Sequence, residues 1–315
     1  MWTAGAVLAA LLLTAAAPGY ALRAGDHAIT LGGSVGTGGP ADARAYILHV
    51  PAKLDAKPAL VLNFHGGGGH ASEHQKYVRM DALADREGFL VAYPEGTGPF
   101  EGKLQSWNAG GCCGSAVRDN VDDVAFVRRL LADIARRQPY DPARVYATGL
   151  SNGAMMSTRL AAELSDRIAA IAPVAGAIAV EHLPTARSVP VLHIHSVDDP
   201  RALYAGGLGP PFPMTNSRVM HLAVEAGLTD WATANGCAAP MEQREKKEWK
   251  GHTATLFGYP RCRAEVLLWK LTGAGHVWPG GELDYFPKLL GPGTAVIDAN
   301  EEMWRFFSRH RLPQP

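Results

Sequence analysis

Charged residues are scarce in this sequence, and the two signs cancel. Asp, Glu, Lys and Arg make up 19% of the 315 residues, thirty basic and thirty acidic. With neither a basic stripe nor an acidic tail, nucleic acid is not an expected partner, and long-range charge is not expected to select the substrate. Cysteine is scarce too, with four residues and no Cys-x-x-Cys pair or matching pair of histidines. A structural metal site is therefore not expected. After the first twenty-two residues no apolar run is long enough to span a bilayer. Repeats, low-complexity tracts and Ser/Thr/Pro-rich linkers are also lacking. The Gly-rich run Gly66–Gly69 is not followed by Gly-Lys-Ser/Thr, which excludes a phosphate cradle. What remains is 47% hydrophobic, enough for a sizeable core.

The first twenty-two residues carry no charged side chain, and Ala6–Ala17 is rich in Ala and Leu. That run is short for a membrane span and is followed by the small-residue exit Pro18-Gly19-Tyr20-Ala21. A signal peptide over residues 1–21, cleaved near Ala21 or Ala24, is the expectation. A secreted or periplasmic location follows from it, without a membrane span. The cysteines suit that oxidising setting. A Cys237–Cys262 bridge would staple the polar, Lys/Glu-rich excursion between them. Cys112 and Cys113 are adjacent, and the sequence leaves open whether they pair with each other or elsewhere.

β-Prone runs alternate with helical ones. Strands are expected at Tyr46–Val50, Leu60–Phe64, Leu90–Tyr93, Val145–Thr148, Ile168–Val174, Val191–His195 and Val266–Leu271. Helices are expected at His74–Glu87, Val121–Gln138, Asn152–Leu164, Val219–Asn235 and Asn300–His310. In the second helix Val124, Val127, Leu131 and Ile134 recur at helical spacing, with Asn120 or Asp122 as the cap. Such alternation makes a mostly parallel sheet covered on both faces. One α/β catalytic domain over residues 22–315 is expected, with Tyr204–Pro213 a loop over the sheet's upper edge.

Between the fourth strand and third helix lies Gly149-Leu150-Ser151-Asn152-Gly153. A serine on a tight strand-to-helix turn flanked by glycine is how α/β-hydrolases present a nucleophile. Such a serine needs a base, and the base needs an acid, in the chain order Ser, Asp, His. Asp198 and Asp199 end the strand Val191–His195, and Asp199 is preferred. His276, in the loop Gly273-Ala274-Gly275-His276, is the expected base. Negative charge on the attacked carbonyl requires main-chain donors. His65-Gly66-Gly67-Gly68-Gly69 resembles an esterase oxyanion loop. The amides of Asn152 and Gly67 are the expected donors, with Gly68 next. His193 and His195 share a strand face; core or loop-anchoring roles are favoured over metal ligation because no third ligand is evident. Trp107, Asn108 and Trp278 are candidate substrate contacts, loop packing being the alternative.

Trp107-Asn108-Ala109-Gly110, Cys112-Cys113-Gly114, Val121-Asp122-Asp123-Val124, Gly149–Met155, Asn235-Gly236-Cys237 and Gly275–Gly281 together resemble the secreted poly(3-hydroxybutyrate) depolymerases and feruloyl or acetylxylan esterases, over about Ala41 to Phe307. The resemblance implies an α/β-hydrolase fold and a metal-free, cofactor-free carboxylesterase. By position it makes Ser151 nucleophile, Asp199 acid and His276 base. The family pattern His-Gly-Thr-x-Asp-Pro is replaced here by His195-Ser196-Val197-Asp198-Asp199-Pro200, which keeps the Asp before proline, and Arg201-Ala202-Leu203 replaces a more apolar stretch. No linker and extra binding domain precede Pro315, so soluble feruloyl, acetyl or hydroxybutyrate esters are expected over crystalline polyester. A peptidase of the same fold and a non-catalytic secreted binding protein are the rivals.

Overall fold

The structure is a computed structural model that describes residues 21–32, 43–100, 102–178, 180, 186–212 and 218–313. Apart from Ala21, the expected leader lies outside the described residues, as do Ala41 and Pro213.

Five strands have every residue buried: β3 (Leu60–Phe64), β4 (Leu90–Pro94), β5 (Val145–Leu150), β6 (Ala170–Val174) and β7 (Val191–Ser196). Near-continuous apolar runs of this kind belong in a parallel sheet buried on both faces. The outer strands alternate more: β1 (Gly25–Leu31), β2 (Arg44–Val50), β10 (Glu242–Trp249), β11 (His252–Gly258) and β12 (Val266–Thr272). The ten form one sheet in the order β1-β2-β4-β3-β5-β6-β7-β12-β11-β10. From β4 to β12 all pairings are parallel, and both ends are antiparallel. A small pair, β8 (Gly207–Leu208) and β9 (Met220–His221), stands apart.

The helices are α1 (Ala71–Val78), α2 (Met80–Glu87), α3 (Gly114–Arg118), α4 (Asp123–Arg137), α5 (Asn152–Glu163), α6 (Val224–Ala234), α7 (Pro287–Leu290) and α8 (Ala299–Phe307). Period-two alternation splits the core. Leu60, Leu62 and Phe64 pack with α4, α5 and α6 in one cluster, while Val61 joins α1, α2 and α8 in the other. The expected stripe Val124, Val127, Leu131 and Ile134 is buried, and Asp122 caps α4 by accepting from the Ala125 amide at 2.8 Å.

Several expected boundaries need correction. The helix His74–Glu87 is two helices, broken where Arg79 adopts φ +56°. The helix Val219–Asn235 begins only at Val224, because Met220 and His221 pair with the β8 segment. The strand Ile168–Val174 starts at Ala170. The polar excursion between Cys237 and Cys262 is a hairpin, β10–β11, that extends the sheet beyond β12 and is closed by a Cys237–Cys262 disulfide. Strand β1 was not expected at all. Cys112 and Cys113 are bonded to each other across a cis peptide.

Candidate active site

Every group of interest lies just beyond the C-terminal end of a parallel strand, where open α/β sheets place their sites. Ser151 follows β5 directly, with φ +57° and ψ −118°, a conformation uncommon outside glycine and enforced by its surroundings. Its amide donates to Val174 O at 2.9 Å, which ties the turn to β6. A Cβ on Gly149 would sit 2.5 Å from Phe64 O, and one on Gly153 would overlap that oxygen. Glycine at both flanks therefore lets the β5–α5 turn press against the end of β3. Among the described residues nothing accepts or donates a hydrogen bond at the Ser151 hydroxyl.

Asp199 and His276 meet. His276 Nδ1 is 2.7 Å from Asp199 Oδ2, and both side chains are buried. Asp199 Oδ1 accepts from the amides of Arg201 at 2.7 Å and Ala202 at 2.8 Å. Burial pushes the Asp199 carboxyl upward, but the nearby His276 and His195 outweigh it and hold the group well below the ordinary carboxylate range. Asp198 is occupied elsewhere, its Oδ2 accepting from the Gly273 amide at 2.7 Å. Of the two aspartates only Asp199 faces the imidazole.

The Gly-rich loop also has a definite geometry. A Cβ on Gly67 would be 3.6 Å from Asn152 Cβ, so the two main chains lie side by side. Gly68 donates to Gln105 O at 2.7 Å and Gly69 to Gly66 O at 3.1 Å. Gly68, the second-choice donor, is thus committed within the fold, whereas the amides of Gly67 and Asn152 donate to no described residue. His65, fully buried beneath the loop, holds it from both ring nitrogens: Nδ1 donates to Gly66 O at 2.8 Å and Nε2 accepts from the Gly96 amide at 3.0 Å.

The three expected substrate contacts are not at the surface of the site. Trp107 is fully buried against Phe64, His65 and Phe126, and its indole N–H donates to His65 O at 3.0 Å. Its main chain instead clamps Asn152: Trp107 N donates to Oδ1 at 2.7 Å, and Nδ2 donates to Trp107 O at 3.0 Å. Asn108 is buried, its amide on Asp123 Oδ2 at 2.7 Å. Trp278 is also buried, donating to Asn300 Oδ1 at 3.1 Å. Loop packing, the alternative reading, fits all three.

Exposed apolar side chains come from residues that the sequence did not single out. The exposed large hydrophobics among the described residues fall in three connecting segments: Phe100 and Leu104; Leu208, Met220 and Leu222 in and beside β8 and β9; Leu283, Phe286 and Leu289 in and before α7. The first segment accepts from Gly68 through Gln105 O, and the third accepts from the His276 amide through Leu290 O at 2.6 Å. In the second, the Phe212 ring comes within 3.8 Å of a Gly67 Cβ position. Their signal in the sequence is only their place in polar or Gly/Pro-rich loops.

His193 and His195 bond to each other rather than converging with a third ligand. The one group of potential metal ligands among the described residues, Asp26, His49 and Asp81, lies on β1, β2 and α2, where both His49 nitrogens are engaged by Asp26 at 2.7 Å and Asp85 at 3.1 Å.

Residues 44–225 match the esterase PHB depolymerase family. The chain belongs to that family. A relative bearing an esterase name, NocK of Nocardia uniformis subsp. tsuyamanensis, is 32% identical over 79% of this chain and 74% of its own length. Feruloyl esterase B of Piromyces equi is 29% identical over 73% of this chain but only 42% of its own. A bifunctional acetylxylan esterase/xylanase of Neocallimastix patriciarum is 28% identical, and this chain spans 33% of its length. An acetyl xylan esterase from Aspergillus awamori superposes with a TM-score of 0.59 at 15% identity, covering 90% of this chain and 99% of that one. The fold is that of the α/β-hydrolases, as expected, and the family is one of carboxylic ester hydrolases. No described helix is long and apolar enough to cross a membrane.

Proposed function

We propose that the chain is a secreted serine carboxylesterase, residues 22–315 forming one catalytic domain, with Ser151 as nucleophile, His276 as base and Asp199 as acid. The observation that carries this reading is the buried 2.7 Å contact between His276 Nδ1 and Asp199 Oδ2 at the rim that also holds the strained Ser151. An ionised Asp199 makes Nδ1 the protonated nitrogen and leaves Nε2 to take the Ser151 proton. The alkoxide attacks the ester carbonyl, and the amides of Gly67 and Asn152 receive the developing oxyanion. His276 then protonates the leaving alcohol. Water, deprotonated by the same nitrogen, releases the acid from the acyl-enzyme. Feruloyl, acetyl and hydroxybutyrate esters are the proposed substrates. The family and the names of the relatives support them.

Purified protein should turn over p-nitrophenyl acetate and methyl ferulate, leave peptide anilides intact, and label with a fluorophosphonate. Ser151→Ala should abolish labelling and lower kcat by roughly 10⁴–10⁶-fold. A loss under tenfold defeats the assignment. Cleavage of anilides in preference to esters favours a peptidase, and absence of labelling favours a binding protein.

A further inference from the structure

The proposed reaction leaves two buried histidines of β7 unused. His195 Nε2 lies 2.8 Å from Ala202 O and 3.3 Å from Asp199 Oδ2. A carbonyl oxygen only accepts, so Nε2 carries the hydrogen. That hydrogen also points toward the carboxylate oxygen to which His276 Nδ1 donates. In the neutral ring Nδ1 is then bare, and His193 Nε2, 3.1 Å away, must be its donor. The remaining His193 nitrogen, Nδ1, becomes an acceptor, and it is the one buried without a partner. Burial, with His195 adding to it, holds His193 well below the ordinary imidazole range. A second proton on His195 would have to sit on Nδ1, facing His193. His193 would then carry its own hydrogen on Nδ1, a buried donor with nothing to receive it. Hydrogen bonding therefore sets one direction for the whole chain, from His193 through His195 to Asp199.

We propose that His195 is a positioning residue for the hydrolytic reaction: a donor whose tautomer is set by His193, closing the turn Asp199–Ala202 and holding the carboxylate in one orientation toward His276. This rests on the triad reading above. The turn is closed from both sides, because Ala202 donates its amide to Asp199 Oδ1 and accepts His195 at its carbonyl. Other groups face His195 or lie within electrostatic reach. They are Tyr204, whose ring meets it edge-on at 5.7 Å, His276, His221 of β9, and Lys270, its register partner on β12, whose Nζ is held by Glu225 at 2.8 Å. None of these replaces a donor at Nε2. Without that donor the full negative charge of Oδ2 falls on His276, which favours the imidazolium and moves the acid limb of kcat/KM to higher pH.

The test compares His195→Phe, which keeps ring shape without a donor, with His195→Gln, whose amide N–H reaches the Nε2 position, and His195→Asn, whose amide does not. Phe and Asn should lower kcat roughly 10- to 100-fold with KM within about twofold, and raise the acid-limb pKa by about half a unit. Gln should recover most of kcat and the parental limb. Equal losses in Gln and Asn, or an unshifted acid limb in both, would overturn the proposal. Those two variants carry the test if Phe fails to fold. The Ser151→Ala control separates the failures: activity surviving that change sinks the triad itself, whereas its loss together with a normal His195→Asn sinks only the role of His195.

Discussion

His65 makes the stability of this protein depend on pH in a calculable way. In the folded chain Nδ1 donates to Gly66 O and Nε2 accepts from the Gly96 amide, so both nitrogens are satisfied only in the neutral ring. A proton on Nε2 would confront that amide hydrogen. Burial, the largest cause, helped by repulsion from His70 and Arg44 and opposed by the Gly66 bond, lowers its pKa to about 4. In the unfolded chain a histidine titrates near 6.5. Between those values the unfolded state binds a proton that the folded state refuses. The stabilisation is therefore complete above about pH 6.5 and is lost as the pH falls toward 4. A gap of about 2.5 units corresponds to about 3 kcal/mol in all, of which about 2 kcal/mol is gone by pH 5. Asp199 and Glu265, whose carboxyls are held low, lose their contributions only at more acid pH. His49, raised by three aspartates against the effect of burial, has the opposite sign but is common to parent and variant. Urea unfolding of the parent and His65→Gln at pH 7 and pH 5 isolates the effect. The parent should lose about 2 kcal/mol more than the variant over that interval. Equal losses in the two proteins would refute the assignment of a neutral, buried His65.

Gly153→Ala places a Cβ on Phe64 O and 2.5 Å from His65 O, so α5 must back away from β3; stability should fall by about 1–3 kcal/mol and kcat by about 100-fold, and parental values in both denaturation and p-nitrophenyl acetate turnover would refute the close approach. Cys237→Ser with Cys262→Ser opens a bridge between residues 25 apart in sequence. Unfolding free energy should drop by about 3 kcal/mol with kcat little changed, because the β10–β11 hairpin is on the far edge of the sheet; a kcat loss as large as that of Gly153→Ala would contradict this separation.

The central strands were legible because each is a short apolar run buried on both faces, and the stripe of α4 was legible from its period. The misread parts have other causes. Glu242–Trp249 is a strand with no apolar face: its residues are Glu, Gln, Arg, Lys and Trp, and it forms by pairing with β11 at the sheet's edge. The break at Arg79 arises from a left-handed residue that no glycine or proline announces. Strand β1 alternates strictly in burial, yet four of its seven residues are Gly, Asp, His and Thr, which weakens the apolar pattern. For the two strands, pairing to a neighbour, absent from local sequence, decided the outcome.

At the site, the motifs named the residues but not which part of each one makes the contacts. Trp107 and Asn108 sit in a motif beside the rim, and an exposed aromatic there is a natural expectation. The structure turns the indole into the core, and the buried main chain grips the Asn152 side chain. Asn152 in turn has its carboxamide engaged by Trp107 and its amide donating to no described residue, and Gly149 and Gly153 have no side chain to obstruct β3. Ser151, Asp199 and His276, the residues proposed to act through their side chains, are what order and residue type alone could pick out, and of these the structure joins His276 to Asp199. A motif residue that works through its backbone leaves the same letter in the sequence as one that works through its side chain. The two are told apart by what the side chain buries against, as the fully buried Trp107 and Trp278 show.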